Sequence, residues 1–252
     1  MSSDPLVCCV LLTRDRPEMA RRAVDSFRAQ TYENKRLLVY DNSLRSPENH
    51  KFMVWLRDVN DASQSEMWYA RCSGKETIGK SRNMAGNMAV KCIEADIIAH
   101  WDDDDWSHPN RLAEQVALLQ ASGAEAVGYS DMLFWDERAT LLPNPAPTGE
   151  AWRYSGYLAK DVLGTSLMYW RKTWERVPFD DIMTGEDDRF WRKVLGFAET
   201  SMAPPCRAPL YREPRMIASI HGGNTSSRIN PNHPQWVRRL DLDAYCRERM
   251  AL

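Results

Sequence analysis

The sequence predicts an α/β protein, with a Rossmann-like, mostly parallel sheet flanked by helices in a single compact domain. Short apolar runs alternate with longer segments whose apolar residues recur at three- and four-residue spacing, which is typical of strand–helix–strand units. The first strand-like runs stop at polar residues, at Thr13, Asp41 and Asp102. Ligands of such sheets bind at the carboxyl ends of the strands, so these positions predict a ligand site.

The first two strands and the helix between them have the clearest signals. Residues 6–12 form a continuous apolar run, which predicts a strand buried on both faces. Pro17 suits the first turn of a helix, and the following apolar positions predict one buried face, made of Ala20, Ala23, Val24 and Phe27. Residues 36–40 predict a second strand ending on Asp41, whereas the polar residues 44–76 show no clear periodicity.

Later segments continue the alternation of helices and strands. A helix opens near Gly79 with Ser81 as its expected N-cap, and residues 96–101 predict a third strand. The other predicted elements are helices at 109–121, 186–195 and 235–249 and strands at 126–130, 165–170 and 216–220. Closely spaced prolines predict a loop at 141–148.

The composition excludes several classes of protein. The 252 residues carry a net charge of −2 and are 43% hydrophobic, which is typical of a globular protein and not of a polycation built for nucleic acid. No apolar run approaches the roughly 20 residues that span a bilayer, and residues 1–5 lack a basic leader, so we expect neither a membrane span nor a secretory signal. Cys8 and Cys9 are adjacent in a strand, and no cysteine pair has metal-ligand spacing. Reduced thiols and a cytoplasmic location are therefore expected.

Four consecutive aspartates, residues 102–105, follow the third predicted strand. Adjacent carboxylates repel one another and raise one another's pKa, so a positive charge is expected beside them. A hard divalent cation such as Mg²⁺ or Mn²⁺ takes oxygen ligands, often one or two carboxylates together with substrate phosphates. The alternative is a solvated acidic turn that caps the next helix.

Six short motifs, in this order and spacing, resemble glycosyltransferase family 2, the inverting enzymes of the GT-A fold. The resemblance covers residues 5–226. The motifs are residues 11–17 (Leu-Leu-Thr-Arg-Asp-Arg-Pro), 30–32 leading to 39–43, 79–83 (Gly-Lys-Ser-Arg-Asn), 101–109 with 111–112, 185–187 (Gly-Glu-Asp) and 221–226 (His-Gly-Gly-Asn-Thr-Ser). The resemblance implies a nucleotide-diphosphate sugar donor, with UDP as the expected nucleotide.

The resemblance assigns a donor-binding role to residues near the first strand ends. It implies that Thr13 and Arg14 lie beside the uracil and that Asp41 accepts a hydrogen bond from the base. Lys80 and Arg82 match basic positions that contact nucleotide or phosphate, and two cations at a helix start suit an anion. The alternatives are an exposed loop cation for Arg14, a helix cap for Asp41 and a solvated helix end for the other two.

Within the acidic run, Asp102 and Asp104 match the family's Asp-x-Asp pair. Asp104 is expected to contact the metal, while Asp102 faces ribose or a metal-bound water and Asp103 belongs to the nucleotide-sugar contacts. A shift of one residue, to the pair Asp103 and Asp105, stays open. His221 matches a family histidine that completes the metal shell, and neutral imidazole is an acceptable Mn²⁺ ligand. The alternative is a surface loop histidine.

The acceptor side is expected around residues 135–188. Asp187 matches the family's general base, which removes the proton of the incoming hydroxyl on the face opposite the leaving diphosphate. Glu186 and Asp188 lie close enough to be confused with Asp187 and are expected on the acceptor side, and Asp188 stays open as the base. Indole rings stack on sugars and bases, so Trp135 and Trp152 are expected to contact the acceptor, with core packing as the alternative.

These observations predict a metal-dependent, inverting hexosyltransferase acting on a hydroxyl of a soluble glycan, a protein or a modified DNA base; nucleic acid enters only as acceptor. Residues 1–230 would form the catalytic domain, with a nucleotide-binding half (1–105) and an acceptor half (106–230), followed by a helical extension (231–252). One alternative is a nucleotidyltransferase, which would carry a glycine-rich phosphate loop that residues 13–17 lack. The other is a non-catalytic nucleotide-sugar or carbohydrate-binding module.

Overall fold

The computed structural model describes residues 4–63, 66–72, 74–136, 150–155, 162–198, 206–207, 215–222, 232, 236–238 and 243–250. The strands are β1 (Val7–Thr13), β2 (Lys35–Asp41), β3 (Met67–Arg71), β4 (Ile97–His100), β5 (Asp105–Ser107), β6 (Ala126–Gly128), β7 (Asp131–Asp136), β8 (Glu150–Ser155), β9 (Met168–Trp170), β10 (Cys206–Arg207), β11 (Met216–Ile220) and β12 (Trp236–Arg238). The helices are α1 (Pro17–Arg28), α2 (Pro47–Ser63), α3 (Ile78–Lys91), α4 (Arg111–Ser122), α5 (Arg171–Arg176), α6 (Glu186–Ala198) and α7 (Asp243–Met250). The predicted loop at 141–148 lies outside the described residues.

The larger sheet has seven strands in the order β10-β6-β9-β4-β1-β2-β3. All neighbouring pairs are parallel except those of β9, which runs antiparallel to β4 and β6. Thr13 at the end of β1 is in register with Asp41 at the end of β2, and Val10 with His100 at the end of β4. The predicted α/β architecture is confirmed, and the ends of the first strands meet at one edge of the sheet.

Both faces of this sheet are covered, which explains the continuous apolar sequence of β1. Val7, Cys9 and Leu11 point into the core shared with α1, α2 and α4, whereas Cys8 and Val10 point into the core shared with α3 and α6. Successive side chains of a strand face opposite sides, so a strand covered on both sides has no polar position.

A second sheet begins at the end of the acidic run, residues 102–105. Its strand order is β12-β8-β7-β11-β5, and β5 begins at Asp105. The strands β7 and β8 pair antiparallel, β11 runs parallel to β7, and β5 pairs antiparallel with β11. Because β11 ends at Ile220, this pairing brings His221 back to the acidic run.

Several predictions differ from the structure. Of the strand predicted at 165–170, only Met168–Trp170 is a strand, because Gly164–Ser166 form a 3₁₀ turn. The polar residues 44–76 contain α2 and the edge strand β3, which rest on the core through few apolar side chains, mainly Phe52, Leu56 and Met67. The N-cap of α3 is Thr77, whose side chain accepts the backbone N–H of Lys80 at 3.1 Å, so the assignment of Ser81 was wrong.

The end of the chain forms a strand before it forms a helix. Of the helix predicted at 235–249, residues 236–238 are strand β12, paired with β8, and α7 begins at Asp243. Cys246 is buried with Trp106 and Leu133, so the described part of 231–252 packs on the second sheet. No helix among the described residues has the length and apolarity to cross a membrane.

Candidate active site

A cleft of about 360 Å³ opens where the carboxyl ends of the first sheet meet the second sheet. Its walls come from β1, α3, the acidic run, the turn before β9, the start of α6 and β11. The charged residues that line it are Arg14, Arg16, Glu76, Arg82, Asp102, Asp103, Asp104, Asp105, Glu186 and Asp187. These are seven carboxyl groups and three guanidinium groups, and this acidic excess favours a bound cation.

Two aspartates of the run are held by Arg16. The Arg16 Nη2 atom lies 2.8 Å from Asp103 Oδ1, and its Nη1 atom lies 3.1 Å from Asp104 Oδ2. Thr13 Oγ1 donates to Asp103 Oδ2 at 2.8 Å, and His221 Nε2 lies 3.0 Å from Asp104 Oδ2. Arg16 is a cleft residue that sequence reasoning did not single out, although it belongs to the 11–17 motif.

Burial and mutual repulsion separate the pKa values within the run. Burial, with the charge of Asp104, raises the pKa of Asp103 to about 8. Burial also opposes ionisation of Asp104, but the contacts with His221 and Arg16 prevail and lower its pKa. The pKa of Asp105 is raised well above its ordinary value by burial and by Asp104 and Asp102, although Thr165 Oγ1 donates to its carboxyl. Asp104 is therefore the ionised centre of the run.

A buried ion pair joins α3 to α6. Arg82 Nε donates to Glu186 Oε1 at 3.1 Å, and its Nη2 atom lies 3.5 Å from Asp102 Oδ1. Burial disfavours the charged guanidinium, yet Asp102, Glu186 and Asp187 raise the pKa of Arg82. The pKa of Glu186 is also raised, by burial, which the Arg82 charge only partly offsets. The pair fixes the Arg82 cation at the cleft wall.

Asp187 lies in the first turn of α6 and lines the cleft. Its Oδ1 accepts the backbone N–H of Asp188 at 2.8 Å, a contact typical of the first turn of a helix. Its other oxygen touches Gly164 so closely that a Cβ at that glycine would lie 1.6 Å from Oδ2. Asp188 is outside the cleft lining, 55% exposed and paired with Arg192 at 2.8 Å. The geometry therefore favours Asp187 over Asp188 as the predicted base.

The structure gathers part of the predicted donor site. Thr13 and Arg14 line the cleft, but Asp41 does not. The carboxyl of Asp41 is buried and accepts the Ser43 N–H at 2.8 Å and the Tyr69 hydroxyl at 2.5 Å. Its predicted contact with the base would have to be made beside these two bonds, by a residue that is 1% exposed. The next residue, Asn42, lines the cleft instead.

Lys80 also lies outside the cleft lining. Its amine is half-exposed and lies 3.5 Å from Glu76 Oε1, and Glu76 itself lines the cleft. Of the two cations predicted at the start of α3, Arg82 is therefore the one that the fold places in the site.

The predicted acceptor role of Trp135 is corrected by the structure. Trp135 is buried in an apolar cluster with Trp106, Ala151 and Cys246, on the face of the second sheet that packs against α7. Its neighbour Phe134 lies on the opposite face and lines the cleft, since successive strand residues alternate.

Trp152 stands on the same face of the sheet as the cleft-lining Phe134. The two are directly paired across β7 and β8, and Tyr154 and Trp236 are paired on the same face farther out. The Phe134 and Trp236 rings have centroids 4.8 Å apart, and the Tyr154 and Trp236 rings 5.0 Å apart. The cleft thus continues into a face of aromatic residues, in which Trp152 belongs and Trp135 does not.

Comparisons with known proteins agree with this architecture. No protein-family model matches the chain. A protein of Escherichia coli (strain K12), WcaA, proposed to be a glycosyl transferase of colanic acid biosynthesis, is 24% identical over 203 residues, which are 79% of this chain and 70% of that protein.

Three solved structures share the fold. Staphylococcus aureus TarS 1–349 in complex with UDP-GlcNAc superposes with a TM-score of 0.63 at 15% identity, over 90% of this chain and 62% of that one. The mannosyltransferase PcManGT of Pyrobaculum calidifontis, in complex with GDP-Man and Mn²⁺, gives 0.62 at 13% identity over 87% and 57%. GalNAc-T7 with UDP, GalNAc and Mn²⁺ gives 0.63 at 12% identity over 87% and 45%.

The fold is that of the GT-A glycosyltransferases. The resemblance stated from the sequence motifs is confirmed at this level by the sequence relative and by the three structures together. The chain spans less than two thirds of the length of each of these structures.

The donor set of this GT-A cleft fits a divalent cation. No group of three or more acidic, histidine or cysteine side chains converges as a preformed metal site among the described residues. However, the Asp104 carboxylate and the His221 imidazole already meet at 3.0 Å, and Asp102 lies next to them in the cleft lining. Carboxylate oxygen with neutral imidazole is a donor set that Mn²⁺ accepts, with substrate phosphate as the remaining ligand.

Proposed function

We propose that this chain is a metal-dependent, inverting glycosyltransferase of family 2 that moves a sugar from a nucleotide-diphosphate sugar, UDP-linked in the first instance, to a hydroxyl acceptor. The observation that carries the proposal is that Asp104, Arg82 and Asp187 share one cleft at the carboxyl ends of the sheet. The complexes of TarS with UDP-GlcNAc and of PcManGT with GDP-Man and Mn²⁺ support a nucleotide-sugar donor.

Arg82 is the cation that would bind the donor diphosphate, while Arg14 would lie beside the uracil. Arg82 is held at the cleft wall by Glu186 and Asp102, so its position is set before the donor arrives. Asp104 and His221 would hold a divalent cation, Mn²⁺ or Mg²⁺, with Asp102 beside them facing the ribose or a metal-bound water. When bound, such a cation would supply positive charge to the departing diphosphate. Thr13 keeps the run in place through its hydrogen bond to Asp103.

Asp187 would accept the proton of the acceptor hydroxyl. As that oxygen bonds to the anomeric carbon, the bond from this carbon to the diphosphate oxygen breaks on the opposite face, and the configuration inverts. The proton moves to Asp187, and the electron pair of the broken bond leaves with the nucleotide diphosphate. Glu186 is unsuited to this role because its carboxylate is buried against Arg82.

The aromatic face beyond Phe134 supports an acceptor that carries a ring. Flat aromatic side chains bind sugar and base rings through their faces, and Trp152 and Tyr154 continue from Phe134 on the same side of the sheet. A glycan, a glycosylated protein surface or a modified DNA base would each present such a ring.

A cytoplasmic location stays our prediction and is supported by the free thiols of Cys8, Cys9 and Cys72.

Release of free nucleotide diphosphate tests the proposal. The protein is incubated with a panel of UDP- and GDP-sugars, with Mn²⁺, Mg²⁺ or EDTA, and binding is followed in parallel by thermal shift. We expect a UDP-sugar to stabilise the protein and to release UDP only with metal, and Asp187→Asn to keep UDP binding while turnover falls at least about 100-fold, as for loss of a general base.

Asp188→Asn is the matched control, because it removes the neighbouring carboxyl that points away from the cleft and should leave turnover close to that of the unmodified chain. Release of pyrophosphate would instead indicate a nucleotidyltransferase. Metal-dependent binding without any turnover would indicate a binding module. Equal losses in Asp187→Asn and Asp188→Asn would contradict the base assignment.

A further inference from the structure

Arg16 occupies the point at which the proposed metal ligands converge. Its Nη1 atom lies 3.1 Å from Asp104 Oδ2 and 3.3 Å from His221 Nε2, while Asp104 and His221 are 3.0 Å apart. The same guanidinium also reaches Asp103 through Nη2 at 2.8 Å. The three groups therefore form a closed triangle of contacts in which the positive member is a side chain of the protein.

A guanidinium and a metal ion cannot both fill this position. A divalent cation coordinates oxygen and nitrogen at about 2.0–2.5 Å, so its ligands must turn towards it and away from other partners. Two positive charges that share Asp104 would also repel each other in a site with little water. Arg16 must therefore withdraw from Asp104 Oδ2 and His221 Nε2 before these two atoms can bind one cation.

Arg16 is placed to make this movement, whereas Arg82 is not. Its side chain is 29% exposed, lines the cleft and belongs to the short segment between β1 and α1. The Arg82 side chain is 7% exposed and is fixed by Glu186. Once Arg16 leaves the acidic run, the diphosphate of a bound donor would offer it an anion to which arginine donates well.

We propose that Arg16 is the counter-ion of the empty cleft and a diphosphate ligand of the loaded one, so that divalent cation and nucleotide bind together and the cation alone binds weakly. The inference rests on the proposed function for the metal site at Asp104 and His221. The inference adds that Arg16 sets the coupling between binding of the divalent cation and binding of the nucleotide. Because such coupling is reciprocal, each ligand raises the affinity for the other by the same factor.

Mn²⁺ titration of the full-length protein, read by the electron paramagnetic resonance signal of free Mn²⁺, tests the inference without measuring activity. In the unmodified chain we expect weak Mn²⁺ binding alone and at least about 10-fold tighter binding with saturating UDP, as in typical coupled sites. In Arg16→Gln, Mn²⁺ alone should bind at least about 10-fold tighter than in the unmodified chain, and the gain from UDP should shrink by a similar factor.

Arg28→Gln is the matched control. It removes one guanidinium from α1, outside the cleft lining, where the Arg28 side chain is 41% exposed and lies 3.4 Å from Asp25. Its affinity for Mn²⁺ without nucleotide should stay within about 2-fold of the unmodified chain, because a charge exposed to solvent is well screened. Arg16→Lys is the second variant should Arg16→Gln unfold, and its effect on Mn²⁺ affinity should have the same sign and be smaller.

The possible outcomes separate this inference from the proposed function. If the unmodified chain binds Mn²⁺ with UDP but the Arg16 variants bind Mn²⁺ alone no tighter, the inference is overturned and the metal site stands. If neither binds Mn²⁺ even with UDP, the metal site fails and the inference with it. If UDP binding ignores Mn²⁺ in the unmodified chain and is lost in Arg16→Gln, Arg16 acts in place of a metal and the coupling is refuted.

Discussion

Gly164 determines where the Asp187 carboxyl can lie. No positive backbone angle requires glycine at this position, but a Cβ there would lie 1.6 Å from Asp187 Oδ2 and 2.4 Å from its Cγ. The glycine carbonyl also lies 2.7 Å from Nδ1 of His100, whose pKa burial lowers well below its ordinary value, so the turn is anchored on the sheet. The carboxyl of Asp187, the proposed base, thus occupies the volume that a side chain at position 164 would fill.

Gly164→Ala should therefore move Asp187 and leave the donor site in place. We expect turnover to fall at least about 10-fold, because a displacement near 1 Å in a reacting group has effects of this order or larger, while UDP binding by thermal shift stays within experimental error. Gly196→Ala is the matched control, since nothing lies within 4 Å of its Cβ position on α6. Unchanged turnover in Gly164→Ala would refute the positioning role.

Single residues of the site were predicted from the sequence where a motif isolates them. Asp104 and Asp187 follow from short acidic motifs at an element end, and the structure places both in the cleft. Arg16 could not be recognised in the same way, because a basic residue beside Pro17 has no distinguishing spacing and its partners are 87 to 205 residues away along the chain. Contacts of this range are set by the register of the strands and not by local sequence.

At the scale of elements, the start of α3 is fixed by Thr77 and not by Ser81. Thr77 accepts the Lys80 N–H and also donates to Asp181, while the buried Ser81 hydroxyl has no hydrogen-bond partner within the structure's described part. Thr77→Ala should lower the free energy of unfolding by about 1 kcal/mol, the usual cost of a lost N-cap. Ser81→Ala should change it by less than about 0.5 kcal/mol.

Urea unfolding followed by circular dichroism measures both changes. Because α3 carries Arg82, the capped helix is also what presents this cation to the cleft. A larger loss in Ser81→Ala than in Thr77→Ala would restore the cap that the sequence pattern suggested.

Helices and strands were predictable where many apolar residues recur at regular spacing, and were not predictable where an element buries few apolar side chains. The strand β1 and the helix α1 follow directly from their apolar residues, whereas the buried apolar side chains described for α2 are only Phe52 and Leu56. The error at Trp135 has another origin. The sequence shows that Phe134 and Trp135 face opposite sides of a strand, but which side meets the cleft depends on how the second sheet is attached.

At the scale of the whole molecule, the acidic run links stability to pH. Burial raises the folded-state pKa of Asp103 to about 8 and that of Asp105 well above its ordinary value, so these two groups bind more protons in the folded chain than in the unfolded chain between pH of about 4 and 8. Stability that is present below pH of about 4 is therefore progressively lost as the pH rises through about 8.

Urea midpoints between pH 5.5 and 8.5 in EDTA, an interval chosen to cover that window, measure this loss. We expect the midpoint to fall across the interval, and Asp103→Asn, which keeps the shape and removes the charge, to reduce the fall. Added Mn²⁺ with UDP should also reduce it if a cation replaces the protons. A midpoint that rises with pH in both proteins would contradict the assigned directions.

The acidic run leads without a loop into β5, so the site and the seam between the two sheets are the same stretch of backbone. Asp105 and Trp106 face opposite sides of β5, one towards the cleft and the other into the α7 cluster. Deleting one aspartate would therefore turn the second sheet's first strand inside out. More than one carboxyl of the run could serve a given role, but the attachment of the second sheet fixes how many residues the run contains. In homologous chains, we therefore expect the residue types of the run to vary far more than its length.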